Sequence, residues 1–108
     1  MSKESNPLFS VVGMSDYGHF NFKPEDFFSI SGKTKGEKHK VIIVGQVVTG
    51  VIDDSSSIIL IKGNKEIKAR VSTIEMNNQV SEQAVAGEIV GIELSGIKIQ
   101  ELRELNAL

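Results

Sequence analysis

Residues 45–96, GQVVTGVIDDSSSIILIKGNKEIKARVSTIEMNNQVSEQAVAGEIVGIELSG, decide what this chain can fold into. Their apolar positions are dominated by Val and Ile, which lose rotamer freedom in a helix but pack well on a pleated surface. Turn chemistry punctuates them. Asp53-Asp54-Ser55-Ser56 carries short polar side chains that bond their own backbone. Gly63-Asn64 tolerates the positive φ that a tight hairpin requires, placing a strand over residues 58–62 and another after it. Residues 67–76 begin by alternating, with Ile67, Ala69, Val71 and Thr73 on one face and Lys68, Arg70 and Ser72 on the other. Residues 77–87 read as a long polar connection. Residues 88–94 alternate again, with Val90, Ile92 and Leu94 in phase.

The flanks extend the pattern. Residues 41–52 are β-branched almost throughout, and Gly45 and Gly50 within them mark a bulge or a sharp corner, which a barrel needs in order to close. Residues 8–14 (LFSVVGM) and 25–31 (EDFFSIS) predict two more strands. Residues 15–24 mix Gly18, Asn21 and Pro24 with Tyr17, Phe20 and Phe22. They read as a loop whose rings pack across a barrel end. After Gly96 the period changes: Ile99, Leu102 and Leu105 recur every three residues, as in a short amphipathic helix. Residues 1–7 are polar, end in Pro7 and read as a disordered tail. The expectation is a single mainly β domain over residues 8–108, a closed or nearly closed antiparallel β-barrel with a short C-terminal helix.

A chain of 108 residues can bury such a core without staples, and it has no cysteine for disulfides or thiolate metal sites. The net charge of −2 excludes a globally basic nucleic-acid binder. Residues 32–40 (GKTKGEKHK) nonetheless hold four lysines against one glutamate, so any polyanion contact is local. No signal-peptide pattern and no apolar run of membrane-spanning length is seen, and the expected location is cytoplasmic.

Five short motifs, in order and at matching spacing, resemble the second domain of the translational GTPase elongation factor Tu over residues 24–105. Residues 25–32 (EDFFSISG) are similar to the family's EDVFSISG, and residues 45–50 (GQVVTG) to GTVVTG. Residues 71–76 (VSTIEM) stand against TGVEM, and residues 86–91 (AGEIVG) against AGENVG. Gly96-Ile97-Lys98 and the Glu-rich run after it resemble GIKREEIER. The resemblance implies a β-barrel that, in the family, holds the aminoacyl end of tRNA with its terminal adenine in a small pocket. Carried over, the pocket falls on Ile30, Val47 and Glu75, the last being the adenine-facing glutamate. The family's asparagine in AGENVG becomes Ile89, and a pocket leucine becomes Glu93, whose charge resists burial beside a base. Both arginines of the family's RVERG are lost at residues 51–55. The family barrel also ends in a further strand with no counterpart before Leu108. Residues 8–14 are expected to fill part of that gap, with a second copy of the chain as the alternative occupant of the open edge.

Catalytic readings find little support. Gly32-Lys33-Thr34 imitates the end of a phosphate-binding loop, but Phe27 stands where the motif needs its first glycine. His19 and His39 lack ligand spacing. Glu25-Asp26 and Asp53-Asp54 are adjacent pairs, which in a strand point to opposite faces. Lys33, Lys35, Lys38 and Lys40 can meet phosphates or simply keep a hairpin tip solvated. No arginine or aromatic interleaves them, so base readout from this tip is not expected.

The expected function is a non-enzymatic binding module associated with RNA, tRNA or the ribosome through those lysines and the remnant pocket. The alternative is a protein–protein or self-association module, a homodimer included. Neither requires a cofactor, a metal, GTP or a membrane.

Overall fold

In the computed structural model, which describes residues 8–30 and 40–108, strands succeed one another until the last turn of chain. They are β1 (Ser10–Ser15), β2 (Gly18–Ile30), β3 (Lys40–Thr49), β4 (Val51–Asp53), β5 (Ser57–Lys62), β6 (Lys65–Met76), β7 (Gln79–Ser81), β8 (Gln83–Val85) and β9 (Ile89–Ser95), followed by helix α1 (Ile99–Asn106). The N-terminal tail of residues 1–7 lies outside the described residues.

Six strands close on themselves in the order β5-β1-β2-β3-β9-β6, with β6 returning to β5. All pairings are antiparallel. The fold is therefore the expected closed antiparallel barrel with a C-terminal helix. Closure pairs both edges of the strands around most of the ring, which reduces the hazard of a free strand. Among the described residues, the half of β2 beyond Phe22 is paired by β3 alone and β7 by β6 alone. The predicted strand at residues 8–14 is β1, and it completes the ring. Val11 is buried between Phe22 on β2 and Leu60 on β5. The edge expected to lie open is thus occupied from within the chain.

The interior is filled by inward-facing residues of the six ring strands, among them Phe20, Ile43, Val47, Ile58, Leu60 and Ile92, each at most 1 % exposed. Full burial of such a side chain contributes roughly 1.5–3 kcal/mol. One end of the barrel is plugged by α1, whose Leu102 and Leu105 are buried. The predicted three-residue stripe is the face that does this. Glu101 accepts the Lys98 N–H at 2.8 Å and satisfies a donor at the helix start. At the same end, Phe9 packs on Phe27 with ring centroids 5.8 Å apart. The opposite end is covered by the two-stranded β4–β8 ribbon, which buries Ile52 and Ala84.

Three expectations need correction. Residues 18–24 are not a loop but the first half of β2. Phe20 and Phe22 point into the barrel along its wall, while Tyr17 sits exposed at the β1–β2 turn. Asn21 faces outward and donates to Thr49 Oγ1 at 3.1 Å. Pro24 is tolerated because the β2–β3 register slips between Pro24 and Asp26, a bulge where a missing donor costs little.

The polar connection at residues 77–87 contains two short strands, β7 and β8. Asn77 (φ 56°) and Asn78 (φ 66°) make the tight β6–β7 turn. The alternation through Thr73 also breaks. Another register shift, between Val71 and Thr73, changes the phase of β6, so Ala69, Val71 and Ile74 are buried and Thr73 faces the other way.

Candidate functional site

Closure of the barrel gives each wall strand a buried phase and a solvent phase. On β3 and the second half of β2 the solvent phase is unusually apolar (Ile42, Val44, Phe28, Ile30), β9 adds Ile89, and β6 borders it with the polar Thr73 and Glu75. Register places these residues in rows across the strands. One row runs Phe28, Ile42, Glu93, Thr73; the next runs Asp26, Val44, Gly91, Glu75 and, on β7, Val80. Beyond them lie Ile30 opposite Lys40 on one side, and Lys23 opposite Gln46 opposite Ile89 on the other. Phe28 is 40 % exposed, Ile30 45 %, Ile89 61 % and Val80 72 %, with Ile42 and Val44 half-buried between them. The core is already filled by the opposite phase, so packing within the barrel gives these side chains no reason to be apolar. Contiguous apolar surface of this kind marks an interaction face.

Gly91 is the floor of this face. A Cβ placed there would meet only Ile42 Cγ2 at 3.8 Å and Val44 Cγ2 at 4.0 Å, ordinary contact distances. Neither crowding nor a left-handed backbone requires glycine at this position. A strand glycine without such a reason often marks close approach by a ligand or another backbone. Gly45 shows the contrast: a Cβ there would lie 2.1 Å from the Lys23 carbonyl oxygen, so the fold itself demands glycine.

The two central rows hold three carboxylates, Asp26, Glu75 and Glu93, and no cation. Lys23 and Lys40 lie in the outer rows. Asp26 Oδ1 also accepts the Phe27 N–H at 2.8 Å, which fixes its carboxylate at the β2 bulge.

Of the pocket residues carried over from the resemblance, four share this outer surface. Glu75, Ile89 and Glu93 surround Gly91 on β6 and β9, and Ile30 lies at the end of β2. Val47 is not brought to them: it points into the barrel and is wholly buried. Lys40 stands at the start of β3 opposite Ile30. Lys33, Lys35 and Lys38 lie outside the described residues. Sequence reasoning overlooked Phe28, Ile42, Val44 and Gly91. The available signal was in residues 41–48 (VIIVGQVV), where both phases of the alternation are apolar although only one can face the core.

A second polar locus lies at the β4–β8 end, in a hollow of about 220 Å³ lined in part by Asp16, Asp53, Asp54 and Glu82. Asp53 is buried and fully engaged. Its Oδ1 accepts the Ser55 N–H at 3.0 Å, Ser55 Oγ at 2.9 Å and Ser56 Oγ at 3.1 Å. Its Oδ2 accepts the Asp16 N–H at 3.2 Å. Burial pushes the carboxyl pKa up, but the hydrogen bonds from Ser55, Asp16 and Ser56 outweigh it and hold the group below the ordinary aspartate value. The arrangement staples the turn to the β1–β2 connection, in keeping with the turn role expected for these residues. Among the described residues, no group of three or more His, Asp or Glu side chains is placed to hold a metal ion, and no helix is long and apolar enough to cross a membrane. No family model matches the chain.

Proposed function

We propose that this chain is a non-catalytic binding module whose working surface is the outer face of β2, β3, β9 and β6, engaging a protein partner. The observation that carries the reading is the band of exposed and half-buried apolar side chains around Gly91 on a barrel whose interior is already full. The three carboxylates in that band repel phosphate and favour protein over nucleic acid. On this reading the barrel is of the translation-factor second-domain type, with β1 in place of that family's last strand and with the tRNA-end pocket altered into a different docking face.

One observation favours a second reading, contact with the end of an RNA, a tRNA or a ribosomal strand. The open floor at Gly91, walled by Ile42 and Val44 and edged by Glu75, has the form of a seat for a planar ring. A photoreactive amino acid at Ile89, with Met14 on the outward side of β1 as control, separates the two in cells. Protease-sensitive adducts at Ile89 and not at Met14 are expected. RNase-sensitive adducts at Ile89 would favour the second reading, and equal adducts at both positions would sink the assignment of this face.

A further inference from the structure

We infer that the occupant of this face is a basic amphipathic helix of a partner protein. The inference rests on the face being a protein-docking surface, and three observations shape it.

The first concerns backbone. Along the face β3, β9 and β6 are hydrogen-bonded on both edges: β3 by β2 and β9, β9 by β3 and β6, and β6 by β9 with β5 and β7. β2 is held by β1 along its first half and by β3 along its length. Away from the outer edge of β2 beyond Phe22, which β1 does not reach, an extended peptide laid across the face would find no ladder partner for its own N–H and C=O groups, and burying them unpaired is costly. A helix satisfies its backbone internally and stacks on a sheet face as a second layer.

The second concerns width. From Asp26 on β2 to Glu75 on β6 there are three interstrand spacings, about 14 Å at the usual separation. One helix with its side chains, about 10–12 Å across, spans that distance. The apolar band between those strands, made by Phe28, Ile42, Val44 and Ile89, faces the stripe such a helix buries. The open floor at Gly91 accepts one side chain of that stripe as a knob.

The third concerns charge. Asp26 on one flank, Glu75 on the other and Glu93 between them opposite Ile42 leave the two central rows with three negative charges and no positive one. Lysine or arginine beside the apolar stripe complements them, and an acidic helix is rejected. Among the described residues, the chain itself does not offer this element to a second copy. Its own helix carries Glu101 and Glu104 against Arg103, and its stripe is spent on the barrel end. The lysine-rich residues 32–40 contain no apolar side chain.

The test uses the full chain, isotope-labelled, titrated with three synthetic probes: a leucine–lysine amphipathic helix, its leucine–glutamate counterpart, and a leucine–lysine peptide scrambled to abolish the stripe. The expected result is saturable binding of the first probe alone, with amide shifts centred on Phe28, Ile42, Ile89 and Gly91. The double variant Glu75→Gln/Glu93→Gln weakens it about five- to ten-fold, the range for loss of two interfacial charges. Gly91→Ala, which meets no obstruction, weakens it without moving the melting point downward.

Equal binding of the acidic or scrambled probe would overturn the inference, as would shifts confined to Glu101 and Glu104 on α1. Binding of labelled tRNA, but of no peptide, to the same amides would also overturn it. If Ile89 still cross-links to protein in cells while the basic probe fails here, the docking face stands and the basic helix falls.

Discussion

Val11 lies directly opposite Leu60, and that one pairing between β1 and β5 turns a curved sheet into a ring. Both side chains are buried in the shared interior. The first element of the chain and one from its middle therefore depend on each other for closure. Val11→Asp places a charge among Phe22, Leu60 and their neighbours with no partner in the core, and is expected to cost more than about 3 kcal/mol. Against a domain stability of about 5–15 kcal/mol, this brings much of the population near unfolding. Val11→Ala should cost about 2 kcal/mol from the lost methyl groups. Urea unfolding followed by circular dichroism ranks the two. An unchanged midpoint for Val11→Asp would mean that β1 is not part of the barrel wall.

Gly45 and Gly91 sit in neighbouring strands and occupy adjacent rows, yet the same substitution should act on them with opposite sign. At Gly45 an alanine Cβ meets the Lys23 backbone at 2.1 Å and Pro24 Cα at 2.9 Å. The β2 bulge must then move, at an expected cost of about 3 kcal/mol. At Gly91 the Cβ finds only ordinary contacts, and the strand gains about 0.5–1 kcal/mol because alanine has less conformational freedom to lose. Thermal melts of the two single variants check both directions. A destabilised Gly91→Ala would show that this glycine is structural and remove its place in the proposed face.

Asp53 gives the chain a specific acid sensitivity. Its folded pKa is depressed below the ordinary aspartate value of about 4. Its contribution is therefore fully present above the unfolded pKa and is lost as pH falls through the folded one. Asp53→Asn keeps one acceptor but turns an amide N–H toward the Asp16 N–H that now donates to Oδ2. The variant should be less stable by about 1–3 kcal/mol at neutral pH. As pH falls below the ordinary aspartate value, the unfolded carboxylate is protonated first and the native one only at lower pH, so the gap should narrow progressively over that acid range. Stability curves of both proteins across that range decide the matter; a gap constant with pH would mean that the ionised form is not what holds the turn.

The elements most legible in the sequence were those whose pattern is local. Ile99, Leu102 and Leu105 announced α1, and Val90, Ile92 and Leu94 announced the buried phase of β9. The misreadings have physical causes. Gly18, Asn21 and Pro24 look like turn chemistry, but a bulge and a cross-strand bond from Asn21 to Thr49 accommodate them within β2. The phase change after Val71 arises from pairing with β9 and leaves no local trace. The outer face escaped notice for a related reason. Whether Ile42 or Ile43 points inward is fixed only when β3 acquires neighbours, so a doubly apolar strand reveals excess hydrophobicity without saying which side carries it.

The β6–β7 turn ties local strain to the same face, because β7 brings Val80 beside Glu75. Asn77 and Asn78 both hold positive φ, as a two-residue turn of this hand demands. Asparagine tolerates that region; a β-branched side chain does not. Asn78→Gly should therefore be neutral or slightly stabilising. Asn78→Val should cost about 1–2 kcal/mol locally. Since β7 is only three residues long and pairs with β6 alone, the loss should release that strand before it unfolds the barrel. Hydrogen exchange is the fitting measurement. Protected β7 amides are expected to exchange roughly ten-fold faster in Asn78→Val, with those of β1 and β5 unchanged. A uniform acceleration across all strands would show that β7 unfolds only with the whole ring.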